Sequence, residues 1–556
     1  MNNDPTPAPR PTGGVSRHLT TWAAEAPARI AVVAPDGRKL RFDELEAKVE
    51  RVADGLTRAG LGPGDSTLLF VPPGIELIAL THALFRIGAV PVLIDPGMGR
   101  EALLACVERT APRAMLGIPK AHVARLLFPR AFRSVELPVT VGRRLGWNGP
   151  TLAELEANAT TRATGQTAGA RAAGAQAPGD LAAILFTSGS TGPPKGVVYT
   201  HGIFEAQLEA LASLYSLQPG EVDVACFPLF ALFDNALGMT SVFPEMDASR
   251  PGRCDPAKIH ATLEANAATF TFGSPAIWTR VHAWAAKHGK RFSTLQRLTI
   301  AGAPVSPRLL AGLRELLPPG GEVHTPYGAT EALPVANLSG ADLVAGVDAR
   351  SESGEGTCVG RPAPGIDVRI VPITDERLST MPEPVLRGRV GEICVRGPVV
   401  TPAYHGDDEA TGLAKVQDPT PEEPGRFWHR MGDVGRFDAD GRLWFLGRKS
   451  HRLETTDGPV FPVGIENVCN TFEGVRRSAL VGLGPGGSER PCLIVEAEER
   501  TAKRQLAEQL RRPATQQTLG IEIEHVLFKR SFPVDVRHNA KIKRGQLKRW
   551  AEDRAR

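Results

Sequence analysis

The chain has 556 residues, of which 42% are hydrophobic and 23% charged, and this is an ordinary composition for a globular protein with a large core. The formal net charge is only +4, and basic residues are dispersed apart from a cluster at the C-terminus, which argues against a nucleic-acid partner. The seven cysteines are odd in number, lie far apart and form no CxxC pair, which excludes a disulfide framework and predicts a reducing, cytoplasmic location.

The N-terminus contains no targeting or membrane-spanning pattern. Residues 1–16 are rich in Pro, Asn and Gly and predict a disordered segment rather than a signal peptide. The strongest apolar run, IELIALTHALF at residues 75–85, has about half the length of a membrane span. We therefore predict a protein without a transmembrane segment.

Strands and helices alternate from residue 17 to about residue 345. RFDELEAKVERVADGLTRAG predicts an amphipathic helix ended by Gly60, and GIELIALTHALFRIGAVPVLIDP predicts a helix, a glycine stop and a buried strand. Residues 157–179 have low complexity and predict a flexible loop. Such alternation is typical of doubly wound α/β sheets.

The character of the chain changes after about residue 385. Short strands with hairpin turns, one of them at Asp440 and Gly441, fill residues 385–447, and a small unit with a basic tail follows. We predict an α/β fold: a large N-terminal domain (17–448) of doubly wound sheets plus a β-rich subdomain, and a small mobile α+β C-terminal domain (449–556).

A glycine-rich loop, TSGSTGPPKG at residues 187–196, follows an apolar strand. Its backbone amides, hydroxyls and Lys195 are the groups that bind phosphate. It is not a Walker A loop, because two prolines separate the lysine from the preceding glycine. From composition alone, a plain surface loop is the alternative.

This loop resembles the signature of the acyl-adenylate-forming superfamily, which includes acyl-CoA synthetases, luciferases and nonribosomal adenylation domains. IAGAPVS, YGATE, GEICVRGP with YHGDDEAT, HRMGDVGRFDADG, GRKSHR and RHNAKIKRGQL are similar to its other motifs and occur in the same order. Taken alone, each motif has an ordinary structural explanation, such as an acidic residue in a turn or a lysine exposed to solvent. Seven motifs in the same order make coincidence negligible.

The resemblance implies that ATP and Mg²⁺ are the cofactors and that a carboxylic acid is converted to an acyl-adenylate with release of pyrophosphate. It implies catalytic roles for Lys541, Thr330 and Glu331, with Glu331 also holding the metal and Lys541 carried on the C-terminal lid. The ATP-binding residues that it implies are Thr187, Ser188, Gly189, Ser190, Thr191, Gly192, Lys195, Gly302, Ala303, Pro304, Tyr327, Gly328, Asp433 and Arg448.

Several positions depart from the pattern of most acyl-CoA ligases. Ala231 stands where a histidine is usual, Ser450 stands at the hinge, and the loop that precedes Glu466 is one residue short. Pro533 and Lys541 are also two residues further apart than usual. These departures resemble one branch of the superfamily, the ATP-dependent β-lactone synthetases of bacterial long-chain olefin biosynthesis.

That branch implies a long-chain 2-alkyl-3-hydroxy acid substrate, whose 3-hydroxyl attacks the adenylate to close a β-lactone. It also implies association with other enzymes of the olefin pathway. The substrate-binding candidates are His201, Phe230, Phe233, Asp234, Asn235 and Gly273. A fatty acyl-CoA ligase, and a nucleotide-binding pseudo-enzyme that acts as a scaffold, are the alternatives.

Overall fold

The computed structural model describes residues 14–159, 176–187, 194–340, 342, 346–418, 427–499, 501–534 and 542–555. The chain divides into two compact units, Met1–Glu245 with Thr401–Asp408 and Met246–Val400 with Glu409–Arg556. Most of the N-terminus and of the loop that were predicted to be disordered or flexible lies outside the described residues. The predicted lid boundary at residue 449 stays a prediction.

The first unit contains two sheets with helices around them. Its strands are β1 (Ile30–Val33), β2 (Lys39–Arg41), β3 (Ser66–Phe70), β4 (Val90–Ile94), β5 (Ala114–Gly117), β6 (Leu137–Thr140), β7 (Leu181–Thr187), β8 (Lys195–Thr200), β9 (Val222–Ala225) and β10 (Thr240–Val242). Its helices are α1 (Ser16–Glu25), α2 (Phe42–Arg58), α3 (Ile75–Ile87), α4 (Arg100–Thr110), α5 (Pro119–Leu127), α6 (Leu152–Ala157), α7 (His201–Tyr215) and α8 (Ala231–Ala236).

One sheet has the order β6-β5-β3-β4-β7-β8 and is parallel except for β8, and within the first unit the other runs β9-β10-β1-β2 and is parallel except for β2. Helices α2 and α3 contribute to a hydrophobic core that includes residues of both sheets, and α4 covers the opposite face of the first sheet. The predicted helix, glycine stop and strand are confirmed, because α3 ends at Gly88 with φ +71° and β4 follows.

The second unit is built on a long mixed sheet. Its strands are β11 (Phe270–Gly273), β12 (Arg297–Ile300), β13 (Glu322–Ala329), β14 (Ala332–Leu338), β15 (Thr357–Pro362), β16 (Asp367–Val371), β17 (Gly391–Arg396), β18 (Lys415–Gln417), β19 (Phe427–Phe437), β20 (Leu443–Arg448), β21 (Leu453–Thr455), β22 (Gly458–Val460), β23 (Val475–Leu483), β24 (Arg490–Ala497) and β25 (His525–Phe528). Its helices are α9 (Pro256–Ala265), α10 (Pro275–His288), α11 (Pro307–Leu316), α12 (Val347–Arg350), α13 (Asp408–Ala414, whose first residue is assigned to the first unit), α14 (Pro462–Cys469), α15 (Lys503–Leu510), α16 (Pro513–Leu519) and α17 (Arg544–Glu552).

Strands β11, β12 and β13 are parallel, whereas the following strands, in the order β14-β15-β20-β19-β17-β16, are antiparallel. The predicted change from alternating α/β sequence to β-hairpins is therefore confirmed, but it begins at β14 and not near residue 385. A separate sheet, β23-β24-β25, carries apolar residues of α14 and α15 on one face and of α17 on the other.

Two further features concern the state of the cysteines and the apolar character of the helices. All seven cysteines are free and buried, and burial raises the pKa of Cys394 to about 12, which keeps its thiol protonated. Among the described helices, none is both long and apolar enough to cross a membrane.

Candidate active site

Asp433 and Arg448 are register partners on the antiparallel strands β19 and β20. Nη1 of Arg448 lies 3.0 Å from Oδ1 of Asp433 and also donates a hydrogen bond to the carbonyl of Met431 at 3.2 Å. The carboxylate of Asp433 is almost fully buried, so the guanidinium compensates its charge. Two strands therefore fix this carboxylate and its counter-ion at one position.

Tyr327, near the end of β13, contacts the same carboxylate. Its hydroxyl donates a hydrogen bond of 2.6 Å to Oδ2 of Asp433. Burial and the negative charge of Asp433 raise the pKa of the Tyr327 phenol well above its ordinary value, so the hydroxyl stays protonated and remains a donor. The structure thus brings together three of the residues that the motifs indicated.

Thr330 and Glu331 occupy the two-residue turn between β13 and β14. A bulge between Tyr327 and Ala329 precedes this turn. A Cβ atom at Gly328 would lie 2.6 Å from the carbonyl of Ala332, so the backbone admits only glycine there. The turn holds the predicted metal ligand on a tightly packed hairpin.

Lys415 on β18 is a buried cation that the sequence analysis did not single out. It pairs in register with His429, and its Nζ atom lies 5.3 Å from the ring centroid of Phe427. Burial lowers the pKa of the Lys415 amine to about 7, while the negative charge of Glu331 acts in the opposite direction. A lysine in the polar stretch TGLAKVQD looks like a surface residue, so no sequence signal identified it.

The predicted adenine-binding loop begins where β12 ends. Gly302 has φ +98°, which favours glycine, and the preceding amide of Ala301 donates a hydrogen bond of 3.2 Å to the carbonyl of Gly273. Gly273 is the last residue of the neighbouring parallel strand β11. The predicted loop residues Gly302, Ala303 and Pro304 therefore lie at the carboxyl ends of parallel strands, where α/β sheets commonly bind ligands.

In the first unit, only the ends of the glycine loop are described. Residues Ser188, Gly189, Ser190, Thr191 and Gly192 lie outside the described residues, and of Thr187 only the backbone is described. Thr187 pairs with Lys195 across the antiparallel strands β7 and β8. Strand β8 was not expected from the sequence, although KGVVYT is rich in strand-forming residues.

Residues from two other segments hold the base of this loop, a role that was not expected from the sequence. The amide of His405 donates to the carbonyl of Gly196 at 2.7 Å, and Nζ of Lys195 lies 4.7 Å above the ring of Tyr404. Nη1 of Arg109 donates to the carbonyl of Pro194 at 3.1 Å. Tyr404 and His405 belong to the motif YHGDDEAT, whose presence was noted but not its contact with the loop.

His201 begins α7 and is buried. Burial lowers the pKa of its imidazole to about 4, so the ring is neutral at neutral pH. Its Nδ1 atom has no hydrogen-bond partner within the described residues. The ring lies beside a cavity of about 40 Å³ that Arg17 and Glu205 also line. That volume has room for about three water molecules.

The other substrate-binding candidates of the first unit lie in and before α8. Phe230 and Phe233 contact each other with ring centroids 5.7 Å apart, and Phe233 lies 6.1 Å from Phe204. The buried amide of Asn235 donates to the carbonyl of Ala31 at 2.7 Å. These contacts join α8 to its neighbours, and a role of the residues in substrate binding stays a prediction.

Asp234 forms a buried carboxyl pair with Asp223. Both side chains are fully buried and interact with each other, and the hydroxyl of Ser241 donates to Oδ2 of Asp234 at 3.0 Å. Burial raises the pKa of Asp234, and two adjacent carboxylates cannot both ionise at low cost. Burial therefore favours the protonated form of Asp234, and the pair links α8 to β9 and β10.

Lys541 lies outside the described residues, but the structure describes both flanks of its segment. Val534 and Ile542 form a β-bridge. Arg544 donates two hydrogen bonds to the carboxylate of Glu466, at 2.5 and 2.7 Å, and Glu466 also accepts from the amide of Leu480 at 2.7 Å. Glu466, the acid that follows the shortened loop, thus anchors the start of α17.

The residues fit a magnesium ion that is shared with phosphates. Among the residues that the structure describes, no group of three His, Cys, Asp or Glu side chains could hold a metal by itself. Magnesium bound with a nucleotide typically takes only one or two carboxylates from the protein and the rest of its ligands from phosphates and water. Glu331 alone is sufficient for that arrangement.

Comparison with known proteins agrees with this geometry. Over 97% of its length, the chain is 44% identical to the olefin beta-lactone synthetase of Stenotrophomonas maltophilia K279a, of which 98% is covered. It is 43% identical to the olefin beta-lactone synthetase of Xanthomonas campestris pv. campestris, with 97% of each chain covered.

Among solved structures, the amide bond synthetase McbA of Marinactinospora thermotolerans is similar over 97% of this chain and 99% of its own, with a TM-score of 0.78 and 25% identity. The family model described as AMP-binding enzyme matches residues 19–405. Because this match covers more than half of the chain, the chain belongs to the AMP-binding enzyme family.

Proposed function

We propose that the protein is an ATP-dependent β-lactone synthetase that acts on a long-chain 2-alkyl-3-hydroxy acid. The observation that carries this proposal is the full-length identity of 43–44% to two proteins named olefin beta-lactone synthetase. The departures at Ala231 and Ser450 and in the loop before Glu466 support the same assignment, since they fall where acyl-CoA ligases have a different pattern.

In the first step, a carboxylate oxygen of the substrate attacks the α-phosphorus of ATP, and the bond to the β-phosphate breaks to release pyrophosphate. Such a reaction needs alignment and charge neutralisation more than covalent help from the protein. We assign the ribose hydroxyls to Asp433, the β- and γ-phosphates to the loop at residues 187–196, and the α-phosphate to Lys541 and Thr330. Glu331 would hold the magnesium ion, whose charge offsets that of the phosphates.

In the second step, the 3-hydroxyl of the bound acyl-adenylate attacks its own acyl carbonyl. The new C–O bond closes a four-membered ring, the bond from the carbonyl carbon to the phosphate oxygen breaks, and AMP leaves. The hydroxyl proton passes to a base or to solvent. Because the nucleophile is part of the substrate, no second substrate such as coenzyme A has to reach the adenylate.

We assign the base to the carboxyl pair of Asp223 and Asp234, because burial raises the pKa of Asp234 to about 7, whereas the imidazole of His201 is a weak base because burial lowers its pKa to about 4. Phe230 and Phe233 are the apolar side chains of the same segment and support binding of an alkyl chain.

The test is product analysis with a synthetic long-chain 2-alkyl-3-hydroxy acid and Mg·ATP, with and without coenzyme A. We expect equal amounts of β-lactone, AMP and pyrophosphate without coenzyme A, identified by mass spectrometry. A strict requirement for coenzyme A, with a thioester product, would refute the proposal and identify an acyl-CoA ligase. Absence of pyrophosphate release under any condition would identify a nucleotide-binding scaffold instead.

A further inference from the structure

Helix α5 exposes a row of apolar side chains on the first unit. Leu126 is 56% exposed and Leu127 68%, and Val123 at 44% lies one turn earlier on the same face. They account for three of the six large hydrophobic side chains that are exposed among the described residues, and a fourth, Leu145, lies in the nearby loop at residues 142–148. We call α5 and this loop the α5 surface.

Two contacts join the loop to the helix. The imidazole of His122 stacks on the indole of Trp147 with ring centroids 5.1 Å apart, and the Trp147 indole also donates to Oγ1 of Thr140 at 2.8 Å. Nη2 of Arg125 donates to the side chain of Asn148 at 3.1 Å. The exposed leucines are thus carried on a helix and a loop that pack against each other.

The segment that contains this surface carries the basic excess of the chain. Residues 119–147 include six lysines and arginines and one acid, a net charge of +5, whereas the whole chain has +4, so the remaining residues sum to −1. Lys120, Arg133 and Arg143 are exposed and make no ion pair with any residue that the structure describes. Lys120 lies one turn before Val123 on the exposed face of α5.

From this combination, we propose that the α5 surface docks the protein on an anionic lipid surface. Exposed leucines flanked by unpaired basic residues match the two attractions that hold peripheral proteins to membranes: insertion of apolar side chains and attraction to acidic headgroups. A protein partner fits less well, because lysine is depleted from the centres of protein interfaces. A nucleic acid would leave the leucines unused.

The proposal does not depend on the reaction that the protein catalyses. Docking would nevertheless place the enzyme beside apolar substrates, because long alkyl chains partition into lipid. No part of the adenylate chemistry uses residues 119–147, so variants of the α5 surface should leave turnover of a detergent-solubilised substrate unchanged.

The test is flotation of the full chain with vesicles, either of phosphatidylcholine alone or of phosphatidylcholine and phosphatidylglycerol. We expect binding to the anionic vesicles only, decreasing with salt. The double substitution Leu126→Glu and Leu127→Glu should lower the bound fraction at least tenfold. Lys120→Gln and Arg143→Gln should each weaken partitioning about fivefold at low salt.

The matched control is Leu386→Glu, which changes a leucine that is 79% exposed in the second unit. Its vesicle binding and that of the wild type should be equal, and thermal melting should show that all variants are folded. Failure of the wild type to bind anionic vesicles overturns the proposal, as does an equal loss in the Leu386→Glu control. Loss of a protein complex in the leucine variant without any vesicle binding would overturn it in favour of a protein partner.

Discussion

Replacement of Asp433 by asparagine tests the proposed ribose site most directly. In the free protein, the carboxylate accepts a hydrogen bond of 2.6 Å from Tyr327 and pairs with Arg448 at 3.0 Å. A hydrogen bond to a charged group contributes about 1.5–3 kcal/mol. If the 2′-hydroxyl of ATP donates to this carboxylate, its removal should weaken binding about 10- to 150-fold.

We therefore expect the wild type to bind Mg·ATP about 10- to 150-fold more tightly than Mg·2′-deoxy-ATP in isothermal titration calorimetry. The Asp433→Asn variant should bind both nucleotides weakly and with nearly equal affinity, because the charged acceptor is missing. Comparing two ligands in two proteins isolates the interaction between the carboxylate and the hydroxyl from general effects on affinity.

The matched control is Asp440→Asn, which removes a carboxylate that is 59% exposed in the turn of the same hairpin. This variant should discriminate between the two nucleotides as the wild type does. The reasoning is refuted if Asp433→Asn binds ATP weakly but still prefers it to 2′-deoxy-ATP by the wild-type factor. In that case Asp433 maintains the fold around Arg448 and does not bind the ribose.

Four further predictions concern substitutions of single ionisable side chains. Lys541→Ala should abolish ATP–pyrophosphate exchange and leave ATP binding largely intact, and unchanged exchange would contradict the role assigned to Lys541. Arg544→Met should cost about 3 kcal/mol in urea unfolding because it leaves Glu466 buried and unpaired, whereas the double variant with Glu466→Gln should recover part of this loss. Between about pH 7 and 10.5, the unfolded chain holds a proton on Lys415 that the folded protein does not, so the free energy of unfolding of the wild type should rise with pH. Lys415→Met should abolish this rise. Above pH 3.8 the folded wild type holds a proton on Asp234 that the unfolded chain has lost, so its free energy of unfolding should decline as the pH rises. Asp234→Asn should abolish this decline. For either residue, equal pH profiles of variant and wild type would contradict the assignment.

The sequence predicted well what local patterns determine. A glycine at residue 88 ends α3 because its left-handed conformation costs little, and Asp440 with Gly441 makes the hairpin that aligns β19 with β20. The family motifs also indicated Tyr327, Asp433 and Arg448 individually. That these three side chains contact one another depends on strand order, which no local pattern specifies.

The residues that the sequence did not reveal act over long distances. Arg109 reaches the carbonyl of Pro194 from α4, and Lys415 is buried because β18 pairs with β19. Both are charged residues in segments that look solvated. Their surroundings are set by packing between elements far apart in the chain, so composition and periodicity cannot indicate them.

The β-bridge between Val534 and Ile542 bears on the unusual spacing before Lys541. With both ends of the intervening segment held in place, an insertion changes only the entropy of closing a loop. That cost rises by roughly 0.6 kcal/mol for each doubling of loop length, so two additional residues add only a fraction of it. Because the bridge and the hydrogen bonds of Arg544 hold both flanks of the segment, a change in its length costs almost nothing in stability.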